Sequence, residues 1–231
     1  MFVSHQREKL LSAIIYFIAN TRRCHTLKLF KLLYFLDFEH FRQTGQSVTG
    51  LRYVAWPMGP APAQLWHELD APQPDLAAAV SVTRQTGRGA SSDLDAQATR
   101  DSWDARDFGY PTPEEPSLGR RTGGEWSGPP RRNIRAKRKF DSRHFTKREL
   151  KIMKWLVEVF KETLAGDMTE VTHSRQMPWG KIYAGGEGRG QEIPYEISLE
   201  SAVLIEDHPS LSDEEYEHRK RAFAEVEQHT D

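Results

Sequence analysis

The residues of this chain that could do acid–base, nucleophilic or metal chemistry are nine histidines and one cysteine, Cys24. A structural zinc site takes four ligands, usually from paired Cys or His spacings. Cys24-His25 has no second cysteine to complete such a set, and no two histidines have the spacing of a zinc-binding helix. Glu39-His40 and His67-Glu68 each put a carboxylate beside an imidazole, an arrangement ordinary on helices. His173 follows Thr172 where a helix ends and shortly before Met177-Pro178-Trp179. It reads either as a recognition or switching residue, or as a histidine that bonds the last carbonyls of its helix and suits the helix dipole. The second reading is the simpler one. Catalytic residues, metal ligands and cofactor ligands are therefore expected to be absent.

Two further stretches could bind anions. Gly185–Gly190 is glycine-rich, but it lacks the Lys-Ser/Thr ending of a P-loop and the spacing of a dinucleotide fingerprint. It reads as a loop. Arg131–Lys139 is the densest basic run. It reads as contact with phosphates or an acidic partner, or as a solvated edge strand whose charges discourage pairing with another chain. Aromatic residues do not interleave it, and the rest of the chain balances its charge, so no nucleic-acid partner is expected. Trp56, Trp66, Trp155 and Trp179 are core candidates. A tryptophan beside a Pro/Gly turn can also anchor an interface, because it offers broad area with few rotors to freeze.

Bulk properties narrow the class. The 231 residues suffice for one generous domain or two small ones, and the formal net charge is -1. No global charge points to nucleic acid or a membrane surface. A single cysteine permits no intramolecular disulfide, which fits a reducing cytoplasm. Leu10–Ala19 is apolar and follows Arg7 and Lys9, yet no small-residue cleavage site follows it. It is also too short to span a bilayer, which takes about 20 residues. It is expected to be the buried face of a soluble helix.

The elements that would position these residues follow from periodicity. Leu10, Leu11, Ile14, Ile15, Phe17 and Ile18 mark a first helix over His5–Ala19. A second runs from Thr26 to about Gln43 and stops at Gly45; it is apolar almost all round and should be the central helix of the core. Leu51–Trp56 reads as a short strand. Pro57, Gly59, Pro60 and Pro62 argue against regular structure until a short helix over Ala63–Leu69. Asp75–Val82 is ambiguous. Arg84–Arg132 is rich in Gly, Ser, Arg, Asp and Pro without apolar period, and reads as an irregular insertion. Thr146 with Glu149 forms a capping-box pattern that starts a strong helix to about Leu164, with Gly166 ending it. Asp167 with Glu170 starts a short helix to Thr172 or His173, and Met177-Pro178-Trp179 makes a turn. Ile193–Leu199 is a possible last core segment. Ser212 with Glu215 caps a helix to about Gln228.

Three patches, Lys31–Asp37, Ala55–Leu69 and Thr172–Tyr183, occur together and in order. With Phe140-Asp141 through Glu149, Asp167–Thr172-His173, Pro178-Trp179 and Ile193-Pro194-Tyr195, they resemble the Panacea domain, the SocA-like antitoxin domain. The likeness covers about Leu10–Val82 and Ile134–Leu199. It implies a cytoplasmic bacterial or phage-associated antitoxin that neutralises a cognate protein toxin by direct binding. The alternative it implies is a proteolytic adaptor delivering a toxin to an AAA+ protease, or a general protein-binding module.

The expected fold is mainly α (α+β): a compact helical domain around a buried central helix, with a few short strands and a long irregular insertion. Residues 5–82 and 134–205 form the two parts of the domain, 83–133 the insertion, and 206–231 a C-terminal extension with a charged helix. The candidate partner-binding residues are Trp56, Met58, Trp66, His173 and Trp179; no membrane partner is expected.

Overall fold

The structure is a computed structural model that describes residues 5–84, 132–201, 212, 214–218 and 220–221. Helix α1 (Gln6–Asn20) buries Leu10, Leu11, Ile14, Ile15 and Phe17 along one stripe. Helix α2 (Thr26–Thr44) is the centre of the fold. Every residue from Lys28 to Gln43 is buried, and α1, the hairpin, the later helices and the last 3-10 turn all pack on it. Gly45 ends α2 in the left-handed conformation with φ 76°, and its N–H bonds Phe41 O.

Strand β1 (Val54–Trp56) pairs antiparallel with β2 (Gly59–Ala61), so Pro57-Met58 forms a two-residue hairpin tip. Here the structure corrects the sequence reading, which gave Gly59–Ala61 no regular structure. A three-residue strand tolerates Pro60 because few ladder bonds are at stake. The other edge of β1 is met by the segment around Gln191: Ala55 N–H bonds Gln191 O at 2.8 Å and Ile193 N–H bonds Tyr53 O at 2.8 Å. Helix α3 (Ala63–Glu68) follows Pro62 directly.

The ambiguous Asp75–Val82 stretch resolves into helix α4 (Pro74–Ala79) and strand β3 (Val80–Arg84). β3 pairs antiparallel with β4 (Arg132–Ala136), from Val80↔Ala136 to Arg84↔Arg132. Arg84 and Arg132 are therefore partners at the end of a two-stranded ladder. The irregular insertion expected over 83–133 lies, apart from these strand ends, outside the described residues.

Helix α5 (Lys147–Phe160) starts at the expected capping box. Glu149 N–H donates to Thr146 Oγ1 at 3.2 Å, and Thr146 N–H donates to Glu149 Oε2 at 2.6 Å. Its inner face carries Ile152, Met153, Leu156 and Phe160, and Phe160 stacks on Phe35 of α2 at 5.3 Å. α5 ends four residues before Leu164. Helix α6 (Ala165–His173) already contains Gly166, and Asp167 reaches back to Leu164 N–H at 3.3 Å. The Met177-Pro178-Trp179 turn opens helix α7 (Pro178–Tyr183), with proline in the first turn where its missing N–H costs nothing. Short 3-10 turns follow at Ala184–Gly186 and Tyr195–Glu200. Ser212 and Glu215 make the expected reciprocal cap, and residues 214–218 and 220–221 are helical. No helix among the described residues is long and apolar enough to cross a membrane.

The architecture is thus mainly α with small antiparallel sheets, built around a buried central helix.

Candidate functional site

From Lys28 to Phe38, helix α2 is apolar but for polar residues three apart: Lys28, Lys31, Tyr34 and Asp37. Each is buried, and each ties down a different segment. Lys28 Nζ donates to Arg22 O (2.8 Å), Thr163 O (2.7 Å) and Lys161 O (3.2 Å), clipping the chain just beyond α5 to the turn between α1 and α2. Lys31 Nζ donates to Met58 O in the hairpin tip at 2.7 Å. Tyr34 Oη accepts the Trp179 N–H at 3.2 Å, one of the first-turn donors of α7 that has no partner within its own helix. Asp37 accepts from Val48 N–H, Thr49 N–H, the Thr49 hydroxyl and the Tyr53 hydroxyl.

The three sequence patches converge at Lys31. Gly59 has φ 113°, and a Cβ there would lie 3.3 Å from Lys31 Cε and Nζ and from Thr172 Oγ1. The hairpin tip therefore sits directly on the α2 lysine and the end of α6. Trp179 closes the cluster. Its Nε1 donates to Trp56 O at 2.9 Å, and its ring lies between His173 (3.8 Å, 7°) and Tyr183 (4.4 Å, 15°). Gly180 lets this helix start close against α6, since a Cβ there would fall 2.1 Å from Ser174 O. Trp56 meets Trp66 edge-on at 5.4 Å, and the Arg132 guanidinium lies 4.2 Å over Trp66 while gripping Asp70.

Burial sets the electrostatics. Lys31, which donates to a backbone carbonyl, is pushed down to about 7 by desolvation. His173 is pushed down to about 4, first by burial and then by the Lys31 charge. Its Nε2 is buried and has no hydrogen-bond partner among the described residues. The expectation that His173 bonds its helix carbonyls is thus corrected: the ring is neutral and held by stacking. Burial pushes Asp37 up to about 6 against four hydrogen bonds that favour the carboxylate. The Cys24 thiol is buried and pushed up to about 11, so it is no nucleophile at neutral pH.

Of the five residues proposed from sequence, all lie in this cluster, at different depths. Trp66 (7% exposed) and Trp179 (4%) are core residues, while Trp56, Met58 and His173 are half-buried and reach the surface. The sequence reading missed Lys31, Tyr34, Asp37 and Thr172. Polar residues three apart in the otherwise apolar stretch from Lys28 to Phe38 were the available signal. Beside the cluster, a shallow cleft is lined by Phe35, Phe38, Glu39, Arg42, Met177 and Pro178, among others. Glu39 and Arg42 form a buried ion pair at its edge.

Among the described residues, no group of three or more His, Cys, Asp or Glu side chains is placed to hold a metal. What the cluster offers is a rigid surface: a hairpin tip, an imidazole and a tryptophan edge fixed from beneath by buried polar ties. A family model described as antitoxin SocA-like, Panacea domain matches residues 29–180, from the first turn of α2 to Gly180 in α7. No curated protein and no solved structure matches the chain.

Proposed function

Because the chain belongs to the SocA-like antitoxin, Panacea domain family, we propose that it is a cytoplasmic antitoxin that binds a cognate protein toxin and blocks it without catalysis. The observation that carries this reading is the family match, which spans the whole α2–hairpin–α6 cluster. The geometry supports it. Binding energy concentrates in a few well-supported side chains, and a surface that needs no reordering binds with less entropic cost. The hairpin tip with Trp56 and Met58, and the neighbouring His173, form the contact surface. Trp66 and Trp179 act from behind, as the rings against which Trp56 and His173 are held.

A second reading, delivery of the toxin to an AAA+ protease, rests on the C-terminal helical turn. Tyr216 bonds Glu196 at 2.9 Å and meets Phe41 at 5.7 Å, while Glu214, Glu215, Glu217 and His218 stay exposed. That turn could present a second contact.

Growth of a bacterial host expressing the open reading frame beside this one, with and without this chain, tests both. Arrest relieved by co-expression, with an unchanged toxin level and co-purification of the two chains, is the expected result. A toxin level that falls only when the protease is present would select the adaptor reading. A harmless neighbour would remove the antitoxin reading.

A further inference from the structure

The chain's charge is segregated. Residues 131–154 hold eleven Lys or Arg and two Asp or Glu, a surplus of nine positive charges in a chain whose formal net charge is -1. Read in sequence, Arg131–Lys139 is one solvated strand edge. The fold adds a second source of cations. The connection from β4 to α5 is folded back on itself: Phe140 and Phe145 rings meet at 5.7 Å, Phe140 packs on Tyr16 at 4.9 Å, and Phe145 N–H bonds Ser142 O at 3.0 Å. This closure brings together the two ends of the connection, which Arg138-Lys139 enter just beyond the strand and Lys147-Arg148 leave at the start of the helix.

The helix turns its own cations outward. Lys147, Lys151 and Lys154 recur at i, i+4 and i+7, and so share one stripe with Arg148 at its flank. Glu149, Ile152, Met153, Leu156 and Phe160 occupy the buried face. All nine basic residues from Arg135 to Lys154 are exposed. The acidic groups nearby pair with Arg143 and Lys154 and leave a surplus of positive charge. Asp141 is held by Arg143 at 2.7 Å, and Glu149 is buried against Lys9 at 2.6 Å and its own cap. Glu8 on α1 remains exposed. Lys154 is 3.9 Å from Glu158, and Lys137 also bonds Ala77 O. The helix N-terminus adds partial positive charge to the same end.

We propose that this strip, Arg135 to Lys151, is a binding surface for the phosphate backbone of duplex DNA. The chemistry of the strip selects this partner. A protein interface draws its energy from buried aromatic or aliphatic anchors ringed by polar residues. Here the anchors are missing: among the described residues the only exposed large hydrophobic is Val159, eight residues or about 12 Å along α5 beyond Lys151, the end of the strip. Single-stranded nucleic acid is held by stacking on exposed aromatics, and Phe140 and Phe145 are turned into the core cluster. Duplex backbone needs only cations that displace counterions, and its affinity then falls steeply with salt. Binding through this strip is insensitive to base sequence and separate from the toxin-contact cluster.

The test is fluorescence anisotropy of a labelled 30-bp DNA duplex with the full-length chain at 50 and 200 mM salt. If five of the strip's eight cations reach phosphates, affinity drops about 500-fold over that range. The variant Arg138→Gln/Lys139→Gln/Lys147→Gln/Arg148→Gln changes only exposed side chains, so circular dichroism and Tm should stay at wild-type values. It should lose most of the binding and reduce the salt effect to about 3-fold. Arg175→Gln with Lys220→Gln, away from the strip, should bind as wild type does. The proposal is overturned if binding is absent at 50 mM salt, if it is insensitive to salt, or if the fourfold variant binds as wild type does. Tighter binding to a double-stranded RNA or to poly-glutamate than to DNA at matched charge would also overturn it.

Discussion

Lys31→Met should remove a pH dependence from the stability of this protein. Lys31 is 1% exposed, and burial lowers it from 10.5 to about 7. Between these two values the unfolded chain binds more protons than the folded one, so stability rises with pH across that window. The cost of holding the ammonium is fully present below pH 7 and relieved as pH approaches 10.5. From pH 7 to pH 9 the linkage relation gives a gain of about 2 kcal/mol from this group alone. Methionine fills nearly the same volume and cannot ionise. Loss of the bond to Met58 O lowers the whole curve by a constant, leaving its slope untouched. The comparison is therefore between slopes: urea midpoints, or Tm, of both proteins at pH 7, 8 and 9. Wild type should gain about 2 kcal/mol more than the variant over that range, or roughly 4–8 °C in Tm for a protein of this size. Other titrating groups, Cys24 above all, act equally in both proteins and cancel. The imidazole of His173, which faces Lys31, gives a second readout by NMR: its titration should move up from about 4 towards 6.5 in the variant. Parallel pH profiles for the two proteins would refute the assignment of Lys31 as a strained buried cation.

Gly59→Ala should destabilise the fold by about 1–3 kcal/mol, since φ 113° strains an L side chain and its Cβ presses on Lys31 and Thr172; denaturant unfolding checks this. Because the hairpin tip would shift, the same variant should weaken any partner bound through Met58, as a binding titration would show. Asp37→Asn should cost about 1–3 kcal/mol at pH 7, because the amide oxygen can still accept the Val48 and Thr49 N–H groups but the amide nitrogen cannot accept from the Thr49 and Tyr53 hydroxyls; a loss below 0.5 kcal/mol would contradict the network. Thr146→Ala should cost about 1 kcal/mol by leaving the Glu149 N–H without its cap, and amide exchange should rise in the first turn of α5 before anywhere else.

Much of this fold was legible before any coordinates. α1, α2 and α5 announce themselves by apolar period, and the Thr146–Glu149 box and Gly45 mark two helix ends within a residue. These are local signals: the residues that encode them are neighbours, and the backbone bonds they satisfy lie within one turn. The short elements were harder to place. Val80–Arg84 is a strand only because Arg132–Ala136 lies beside it, and Gly59–Ala61 only because Val54–Trp56 does. The partner of Val80–Arg84 lies far away in sequence, and Pro57 and Pro60 mask the hairpin that pairs Gly59–Ala61.

The cluster divides in the same way. Sequence alone determined that Lys31–Asp37, Ala55–Leu69 and Thr172–Tyr183 belong to one kind of domain, and it offered Trp56, Met58, Trp66, His173 and Trp179 as candidates for partner contact. Tertiary structure alone decided which of them face water. A tryptophan beside a proline can pack inward or outward at similar local energy, and the choice falls to what arrives from elsewhere in the chain. Trp179 goes inward because Tyr34 and Trp56 supply acceptors for both its N–H groups, and Trp66 because Arg132 covers its face. Lys28, Lys31, Arg42 and Arg132 would each be placed at the surface by residue type. They are buried because backbone carbonyls or carboxylates, distant in sequence for all but Arg42, meet them inside. Burying a charge is unfavourable without such partners, and only the folded chain brings most of them together.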